Sequence, residues 1–560
     1  GYPPCIGYNA DSRGKHWRGE PLVMLRAYRL ILCVLLLSAC AATTAAPTSA
    51  PSSASPAALA QPSPAATPAP THAPASPTAT PAPTRAPASP TVTPPDARLD
   101  VQAQATALRQ DYAGDLSRAG DWNRYTISAA IDPAARTIAG RERLEYTNRD
   151  TQPLERLYLH LYPNLPDFAG ELSVTGLSVD GRPVDVTYEA RRYLLRVDLP
   201  QPLAIGATAV VELDFATTAP ERVSQKFYGA FNKEQGVLSL ASSYPIAAIV
   251  RRGAWDTGVS DPQGDFVNSE TALYDVTLTA PADWQLVTTG VVVDKRIDGE
   301  RQTLRTVSGP QRDFMIVATQ YRQASVEVEG TRINSYYRPE HEASGNAALQ
   351  AAADALRAFN KRYGPYPLAE LDVVEVAAWN FLGVEYPGLI EIEQSLYGAA
   401  DGLEITVAHE VAHQWWYSQV GNDVLQEAWV DEAMASYSQI VYQEDLHGPD
   451  AAARELDGFR QRYRRVIDQG RDAPVERPTT SFRGNYVGLV YGKAVLFFQA
   501  MRKQIGEEAF DRFLHEHYAR HRYGYITGTE LLADAEGACG CDLQPLYEHW
   551  ITTVTPVDLP

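Results

Sequence analysis

The sequence predicts an α+β protein in which a β-rich domain precedes a mostly helical one. In runs such as RYTISAAID (124–132) and TIAGRERLEYTN (137–148), apolar residues recur at every second position. After Arg332 the spacing changes, and NAALQAAADALRAFNKRYG (346–364) places its apolar residues three and four positions apart. A period of two is typical of strands and a period near 3.6 is typical of helices, so we expect the domain boundary near residue 325.

The β-rich domain is predicted over residues 98–325. Its alternating runs are bounded by Pro, Gly, Asp and Asn, a pattern typical of antiparallel sheets with one buried and one solvated face. We therefore expect a β-sandwich or saddle-like domain. A mostly helical domain should follow over residues 326–560, with a buried strand at LDVVEVAAW (371–379).

Composition narrows the range of functions. The 560-residue chain carries a formal net charge of −19, which argues against a basic nucleic-acid-binding face and favours a soluble surface. A preference for cationic substrates is the alternative explanation of this acidity. The 5 cysteines are too few for a disulfide framework, and the CGC at Cys539 and Cys541 is compatible with a disulfide or with two free thiols.

The N-terminal segments have the pattern of an export signal. Residues 1–23 precede the first Met and are interpreted as an upstream non-native segment. Residues 24–39 have the charged start and short apolar stretch of a lipoprotein signal peptide. The closing LSAC resembles the bacterial lipobox, which implies lipidation of Cys40. A cleaved, unlipidated signal peptide is the alternative.

Residues 40–97 are predicted to form a disordered stalk. They are rich in Ala, Pro, Thr and Ser, and ATPAPTHAPASPT (66–78) is followed by a near-identical copy. Such a segment has no large apolar side chains to bury, so burial cannot offset the entropy cost of ordering it. We expect an exported protein of the bacterial cell envelope, lipid-anchored on the outer side of the cytoplasmic membrane.

The segment HEVAH (409–413) predicts a metal site. His409 and His413 lie four apart on one helical face, Glu410 lies beside the first, and Glu432 follows after eighteen residues. Residues 401–404 (DGLE) have the pattern of a capping box at the start of this helix. Two His and one Glu leave a tetrahedral position open, as in catalytic zinc sites. Two solvated histidines on a surface helix are the alternative.

The flanks of this segment resemble a known family. HEVAHQWWYSQV and the following EAWVDEAMASY are similar to the aminopeptidase N family of gluzincin zinc peptidases. The resemblance implies a thermolysin-like peptidase domain with one Zn²⁺ per chain, bound by His409, His413 and Glu432. It also implies that Glu410 is the general base. The His/His/Glu set favours zinc and leaves cobalt or manganese loading open.

Two further segments are similar to family motifs. FLGVEYPGLI (381–390) is similar to the Gly-x-Met-Glu-Asn segment, which implies substrate contacts at Gly383 and Glu385, with Glu385 binding the free α-amine. NYVGLVYGKA (485–494) is similar to the segment that carries the oxyanion-stabilising tyrosine, which implies that role for Tyr491. Tyr486 either lines the same cleft or packs in the core.

The chain also departs from the family pattern. Val384 replaces Met, and Tyr386 and Pro387 replace Asn. The stretch SLASSYPIAAIV (239–250) lacks the Glu or Gln that gives many relatives a second amine contact. We expect a short member of the family, without the large C-terminal helical domain that roofs the cleft in most relatives.

The resemblance implies a zinc-dependent metallopeptidase, an aminopeptidase that releases N-terminal residues from peptides with zinc-activated water. A zinc endopeptidase on the same fold and a catalytically idle, lipid-anchored binding protein are the alternatives. The expected partners are peptide substrates and, through the N-terminal lipid, a membrane, with no nucleic acid.

Overall fold

The computed structural model describes five stretches of the chain: residues 101–221, 229–258, 264–379, 381–399 and 401–554. The predicted upstream segment (1–23), signal peptide (24–39) and stalk (40–97), with Cys40, lie outside the described residues and stay predictions. No helix within the described stretches is long and apolar enough to cross a membrane.

Strands fill the first half of the described chain, after a short helix α1 (Val101–Ala105) and a run of 3₁₀ turns (Gln110–Asp121). The strands up to residue 319 are β1 (Asn123–Asp132), β2 (Thr137–Thr147), β3 (Leu154–His160), β4 (Glu171–Val179), β5 (Arg182–Pro183), β6 (Thr187–Glu189), β7 (Leu194–Leu203), β8 (Thr208–Thr218), β9 (Phe231–Glu234), β10 (Val237–Leu240), β11 (Ile246–Ala247), β12 (Val250–Arg251), β13 (Ala254–Trp255), β14 (Ala272–Pro281), β15 (Gln285–Thr288), β16 (Val291–Asp298), β17 (Arg301–Val307) and β18 (Ile316–Thr319). Two single 3₁₀ turns lie among them, at Tyr162–Asn164 and Ala190–Arg192.

These strands form several sheets within the described residues. The largest has eight strands in the order β16-β17-β14-β1-β2-β8-β4-β5. Two four-stranded sheets, β15-β18-β10-β9 and β11-β3-β7-β6, and the β12–β13 ribbon accompany it. Neighbours such as β1–β2 and β2–β8 run antiparallel, whereas β1 and β14 run parallel. The prediction of a β-rich N-terminal domain is confirmed.

The alternating sequence of β1 explains its place in the sheet. Tyr125, Ile127, Ala129 and Ile131 are at most 3% exposed and lie in the apolar core of the β domain. The residues between them alternate to the opposite face and are only partly covered. A shift by one residue would turn the apolar set toward solvent, so the pattern fixes the register of β1 against its neighbours.

The second domain begins where the chain changes sheets. Its strands are β19 (Arg322–Val328), β20 (Thr331–Tyr337), β21 (Glu370–Val376), β22 (Gly383–Tyr386), β23 (Leu389–Glu393), β24 (Val420–Asn422) and β25 (Gly524–Ile526). Its helices are α2 (Glu342–Tyr363), α3 (Gln394–Tyr397), α4 (Leu403–Ala412), α5 (Trp429–His447), α6 (Pro449–Asp468), α7 (Tyr486–Gly488), α8 (Ala494–Ile505), α9 (Glu507–His521), α10 (Gly528–Cys539) and α11 (Gln544–Tyr547). Shorter turns complete it, of the 3₁₀ type at Pro339–His341 and Thr479–Ser481 and of the π type at Leu489–Lys493 and Glu548–Thr552.

A mixed sheet organises this domain. Its order among the described strands is β19-β20-β21-β23-β22, with β22 antiparallel at the edge. Since β19 pairs with β20, the change of sheet falls at Arg322, close to the predicted boundary at residue 325. Helix α2 packs against β20 and α4, and α4 packs against β22. The predicted mostly helical second domain is confirmed.

One buried arginine joins the two domains. Arg312, which is 2% exposed, donates to the carbonyls of Ser269 (3.0 Å), Tyr417 (2.6 Å) and Gly524. Ser269 belongs to the β domain, and the other two acceptors belong to the helical domain. A side chain at Gly421 would overlap the guanidinium, so the interface requires glycine at this position.

Arg312→Ala should destabilise the protein strongly, because it leaves buried carbonyls of both domains without a donor. Each unpaired buried group costs about 1–3 kcal/mol, so we expect the free energy of unfolding to fall by about 3 kcal/mol or more. Arg322→Ala is the matched control, since it removes an exposed ion pair with Glu342, a class worth about 0–1 kcal/mol. Urea unfolding measures both variants, and equal losses would contradict the role given to Arg312.

Candidate active site

The helix that carries HEVAH, α4, starts without the predicted cap. Gly402 precedes it in a left-handed conformation, with φ of 97°, and among the described residues no side chain caps the helix. The capping box predicted at residues 401–404 is therefore wrong. The carboxylate of Glu404 instead accepts hydrogen bonds from Tyr442 (2.8 Å) and His447 (2.7 Å) of α5. This acid ties α4 to α5 and does not close the first turn.

Three side chains meet between α4 and α5. The Nε2 atoms of His409 and His413 are 3.2 Å apart. Glu432 Oε2, from the first turn of α5, lies 3.4 Å from Nε2 of His409 and 3.3 Å from Nε2 of His413. The structure thus brings the three predicted metal ligands together, and their donor atoms form a nearly equilateral triangle. We call these three residues the ligand triangle.

The ligand triangle has the size of one face of a zinc tetrahedron. Zinc–nitrogen and zinc–oxygen bonds of about 2.0–2.2 Å place neighbouring ligand atoms about 3.3–3.5 Å apart. Glu432 Oε2 is buried and has no hydrogen-bond partner among the described residues, so no donor stabilises this carboxylate oxygen. Two imidazole nitrogens and one carboxylate oxygen are also the donor types that zinc prefers. The residues present therefore fit this metal.

The electrostatic surroundings of the ligand triangle favour a cation. Burial alone would raise the pKa of Glu432, but the neighbouring His409 and His413 outweigh it and lower that pKa to about 2. Burial would lower the pKa of His413, yet Glu385, Glu432 and Glu410 around the ring raise it. Several carboxylates thus lie in one buried space, and each is stabilised by a positive charge nearby.

Neighbouring hydrogen bonds hold the ligand triangle in place. His413 Nδ1 donates to the carbonyl of Trp416 (2.9 Å), which leaves Nε2 as the nitrogen free to bind a metal. Trp416 Nε1 in turn donates to Ser438 Oγ on α5 (3.1 Å). Trp416 therefore links the two helices that carry the ligands.

Glu410 and Glu385 border a common space beside the ligand triangle. Carboxylate oxygens of Glu385 and Glu410 and a ring nitrogen of His413 lie within 4.8 Å of one another. A Cβ at Gly383 would overlap the Glu410 carboxylate, so glycine allows β22 to approach α4 closely. Side chains alternate along a strand, so positions 383 and 385 share the face of β22 that looks toward α4. Burial raises the pKa of Glu410, and the adjacent Glu385 raises it further.

The departures from the family pattern lie on the opposite face of β22. Val384 and Tyr386 are 8% and 4% exposed and pack in the core of the β domain. Their side chains therefore point away from the space that Glu385 borders. Replacing Met and Asn at these positions changes the domain interface and leaves the Glu385 face intact.

Gln414 fixes β22 beside α4. Its Nε2 donates to the carbonyl of Tyr386 (3.1 Å), and its Oε1 accepts from the N–H of Gly388 (2.8 Å) and from the hydroxyl of Tyr366 (3.1 Å). Because Gln414 directly follows His413, these bonds set the position of β22 relative to the ligand triangle. The sequence analysis did not single out this residue, although it adjoins HEVAH.

Tyr491 lies in the π-type turn Leu489–Lys493, where its φ and ψ of −91° and 20° leave helical geometry. Its hydroxyl donates to Glu432 Oε1, whereas Oε2 is the oxygen that faces the imidazoles. Its ring centroid lies 6.2 Å from that of His409 and 5.9 Å from that of Tyr486. Such π turns frequently occur at functional sites. Tyr486 is 1% exposed and packs behind Tyr491.

Two acids that the sequence analysis missed lie next to Glu385. Carboxylate oxygens of Asp265, Glu385 and Asp431 lie within 4.8 Å of one another. Asp431 directly precedes the predicted ligand Glu432, and this adjacency was an available signal. Asp265 comes from a loop of the β domain, and its local sequence carries no comparable signal.

A second cluster of histidines has a different character. On α9, His517 Nδ1 and His521 Nε2 each donate to Asp534 Oδ2 at 2.7 Å. These are hydrogen-bond distances, shorter than the edges of a zinc tetrahedron. The neighbouring helix α10 ends at Cys539, which forms a disulfide with Cys541, so the structure decides between the two states left open for this pair.

Comparison with known proteins agrees with this arrangement. Residues 347–550 match the Peptidase family M1 domain. The second domain of the chain thus resembles the peptidase domain of family M1. The predicted resemblance to the aminopeptidase N gluzincins is thereby confirmed, and the ligand triangle, β22 and Tyr491 all lie within the matched range.

Proteins similar to this chain include aminopeptidases from plants and animals. Aminopeptidase M1-B of Oryza sativa subsp. japonica is 23% identical over 68% of this chain and 45% of its own length. Endoplasmic reticulum aminopeptidase 1 of Homo sapiens is 21% identical over 72% of this chain and 44% of its own length. The chain thus spans about half the length of these curated relatives.

A solved M1 structure shares the fold. The M1 zinc metallopeptidase from Deinococcus radiodurans superposes with a TM-score of 0.61 at 20% sequence identity. The match covers 78% of this chain and 95% of that chain. Both domains described above therefore belong to the shared architecture.

The ligand triangle predicts how single substitutions change the metal content. His413→Ala and Glu432→Ala should lose bound zinc, because each removes one corner of the triangle. Glu410→Gln should keep about one zinc per chain, since its carboxylate is not a corner. His517→Ala, which alters the other histidine cluster, is the control and should also keep zinc. Metal analysis after dialysis measures this, and zinc lost from His517→Ala but kept by His413→Ala would place the metal elsewhere.

Proposed function

We propose that this chain is a zinc-dependent aminopeptidase that removes residues from the free N-termini of peptides. The proposal rests on one observation, the common space bordered by the ligand triangle, Glu410 and Glu385. A ligand triangle alone would suit many zinc hydrolases. A buried carboxylate on an edge strand beside it supplies what an exopeptidase also needs, a group that binds the terminal ammonium.

Glu410 is the base in this proposal. His409, His413 and Glu432 would hold a zinc ion, which would supply a Lewis acid and a water of lowered pKa. Glu410 takes a proton from the water that attacks the peptide carbonyl and passes it to the leaving amine as the C–N bond breaks. Its own pKa is raised by burial and by Glu385. A raised pKa suits a carboxylate that must accept and then release a proton near neutral pH.

Tyr491 stabilises charge on the substrate. Its hydroxyl donates a hydrogen bond to the carbonyl oxygen as negative charge develops there. Before substrate binds, the same hydroxyl donates to Glu432 and orients this ligand. Tyr491 therefore has two functions that an experiment separates, because one concerns the reaction rate and the other concerns metal affinity.

Glu385 binds the substrate's terminal ammonium. Glu385 is 7% exposed, so an ion pair formed there is only weakly screened by solvent. A variant of the Deinococcus radiodurans M1 zinc metallopeptidase has been crystallised with a Tyr-Ser-Ala substrate. Short peptides with a free N-terminus are likewise the substrates proposed for this chain.

Tyr491→Phe should lower kcat by about 10²–10³ and change KM little, because it removes one donor to the developing oxyanion. Zinc content should stay at the parental value. Steady-state kinetics on an aminoacyl anilide, with metal analysis of the same samples, measures both quantities. A kcat within a few-fold of the parent would remove the oxyanion role. A zinc affinity about 10–100-fold weaker, at unchanged zinc content in saturating zinc, would show the second function, orientation of Glu432.

Glu385 separates an aminopeptidase from an endopeptidase. The parent should cleave peptides with free N-termini and leave N-acetylated peptides intact, because the acetyl group removes the charge that Glu385 binds. Glu385→Ala should lower kcat/KM for free-amine peptides by about 30-fold or more, since losing one partner of a buried ion pair costs roughly 2–5 kcal/mol. Zinc content should not change.

Glu327→Ala is the control for this comparison. It removes an exposed acid of the same mixed sheet, on β19, that pairs with Arg332 at the surface, and its kinetics should match the parent. The assay is a comparison of parent, Glu385→Ala and control on free and N-acetylated forms of one peptide. If the parent cleaves internal bonds of the acetylated peptide as fast as it cleaves free termini, the endopeptidase alternative replaces the aminopeptidase proposal.

A further inference from the structure

Trp379, four residues before β22, is an exposed aromatic residue with a strained backbone. The residue is 50% exposed, although tryptophan is on average highly buried. Its φ of 65° lies in the left-handed region, which is rare for a bulky residue. Such a conformation is costly and persists only where the surrounding structure enforces it. The fold therefore presents a large aromatic side chain to solvent at a fixed place.

A buried carboxylate enforces this conformation. Glu393, at the end of β23, is 6% exposed, and its Oε2 accepts from the backbone N–H groups of Ala378 and Trp379 (3.1 Å for Trp379). The backbone N–H of Glu393 donates to the carbonyl of Leu382 (2.8 Å), the residue before β22. A side chain at Gly229 would overlap the backbone of Ala378, so the β domain also approaches this turn closely. The turn at Trp379 is thus held beside the beginning of β22.

The proposed function gives the direction in which a peptide lies along β22. Glu385 binds the terminal ammonium, and Glu410 acts at the scissile bond. A Cβ at Gly383 would overlap the Glu410 carboxylate, so Gly383 lies at the level of that bond. The path from Glu385 to Gly383 therefore runs from the N-terminus of the substrate to its first peptide bond. In the same direction it continues to Trp379, on the side of the leaving peptide.

The spacing of strands gives the position in the substrate that Trp379 faces. Among the described strands, β22 is the last of the mixed sheet, so no further strand of this sheet covers its outer edge. A peptide that lies extended along this edge advances about 3.3 Å per residue, as the strand does. Because the turn is held beside Leu382, one residue beyond Gly383, it faces the first two residues after the scissile bond.

We infer that Trp379 is a specificity-determining residue that packs its indole ring against an apolar side chain at one of these two positions. This inference rests on the proposed aminopeptidase function. An indole offers a large, rigid apolar face, and two aromatic rings gain more from contact than their buried area alone provides. The N-terminal residue is therefore released fastest from peptides whose second or third residue is aromatic.

Two tripeptide amides test this inference, Leu-Phe-Phe amide and Leu-Gly-Gly amide. The zinc-loaded parent should release leucine from the first with the higher kcat/KM. Trp379→Ala should lower the ratio of the two kcat/KM values by about 5–30-fold, the range expected for loss of an aromatic contact. Trp379→Phe keeps an aromatic ring and should retain more of the ratio than Trp379→Ala does.

Ile297→Ala is the matched control. It removes an apolar side chain that is 64% exposed, on the edge strand β16 of the eight-stranded sheet. Its ratio of kcat/KM values should match the parent. Zinc content and thermal unfolding of Trp379→Ala should also match the parent, because the substituted side chain is not a metal ligand and is half exposed. A changed ratio then reports the lost contact with the leaving peptide.

Two results would overturn the inference. One is the same ratio of kcat/KM values in the parent and in Trp379→Ala, and the other is a parent that does not prefer Leu-Phe-Phe amide. In both cases, a parent that cleaves the first bond of both peptides leaves the aminopeptidase proposal standing. A parent that cleaves neither peptide, or that cleaves the second bond first, ends the proposed function and this inference with it.

Discussion

The rest of this site depends on one physical constraint. Several carboxylates are packed into a small, largely buried volume, where they repel one another. The acids concerned are Asp265, Glu385, Glu410, Asp431 and Glu432. Burial and mutual proximity raise the pKa of Glu410 and raise that of Asp431 to about 8, whereas the two histidines lower the pKa of Glu432. Buried charges are tolerated only when they are paired. Protonation or a bound cation relieves this repulsion, and the ligand triangle is the place where the donor types suit a metal ion.

The fold keeps these acids together through a few specific bonds between elements. Gln414 joins the edge strand β22 to the segment that follows α4, and Trp416 joins that segment to α5. Tyr417 comes next in the chain with φ of 118°, a conformation that costs a non-glycine residue about 1–3 kcal/mol. Its carbonyl accepts from the buried Arg312 of the β domain. The strained turn after the ligands is thus also the point at which the two domains are joined.

Much of this arrangement is predictable from the sequence, and the failures have a common cause. Periodicity predicts the order of the two domains, and the spacing of HEVAH and Glu432 predicts the ligand triangle, because helical geometry is local. The failed capping box depended on Glu404, whose partners Tyr442 and His447 come from another helix. Strand alternation predicts that Val384 and Glu385 face opposite ways, but only the packed domains show which face borders the site.

Asp265 could not be predicted for the same reason. Its neighbours in the chain form no motif, and its position depends on how Phe266 packs in the core of the β domain. Contacts across a domain interface are set by tertiary packing, which no local pattern records.

Anomalous diffraction at the zinc absorption edge, from crystals of the zinc-loaded protein, tests the central claim most directly. The account predicts a peak within about 2.0–2.2 Å of Nε2 of His409, Nε2 of His413 and Oε2 of Glu432, the bond lengths that zinc has in proteins. A peak found only at the cluster of His517, His521 and Asp534, or no peak at the ligand triangle in fully loaded crystals, would contradict it.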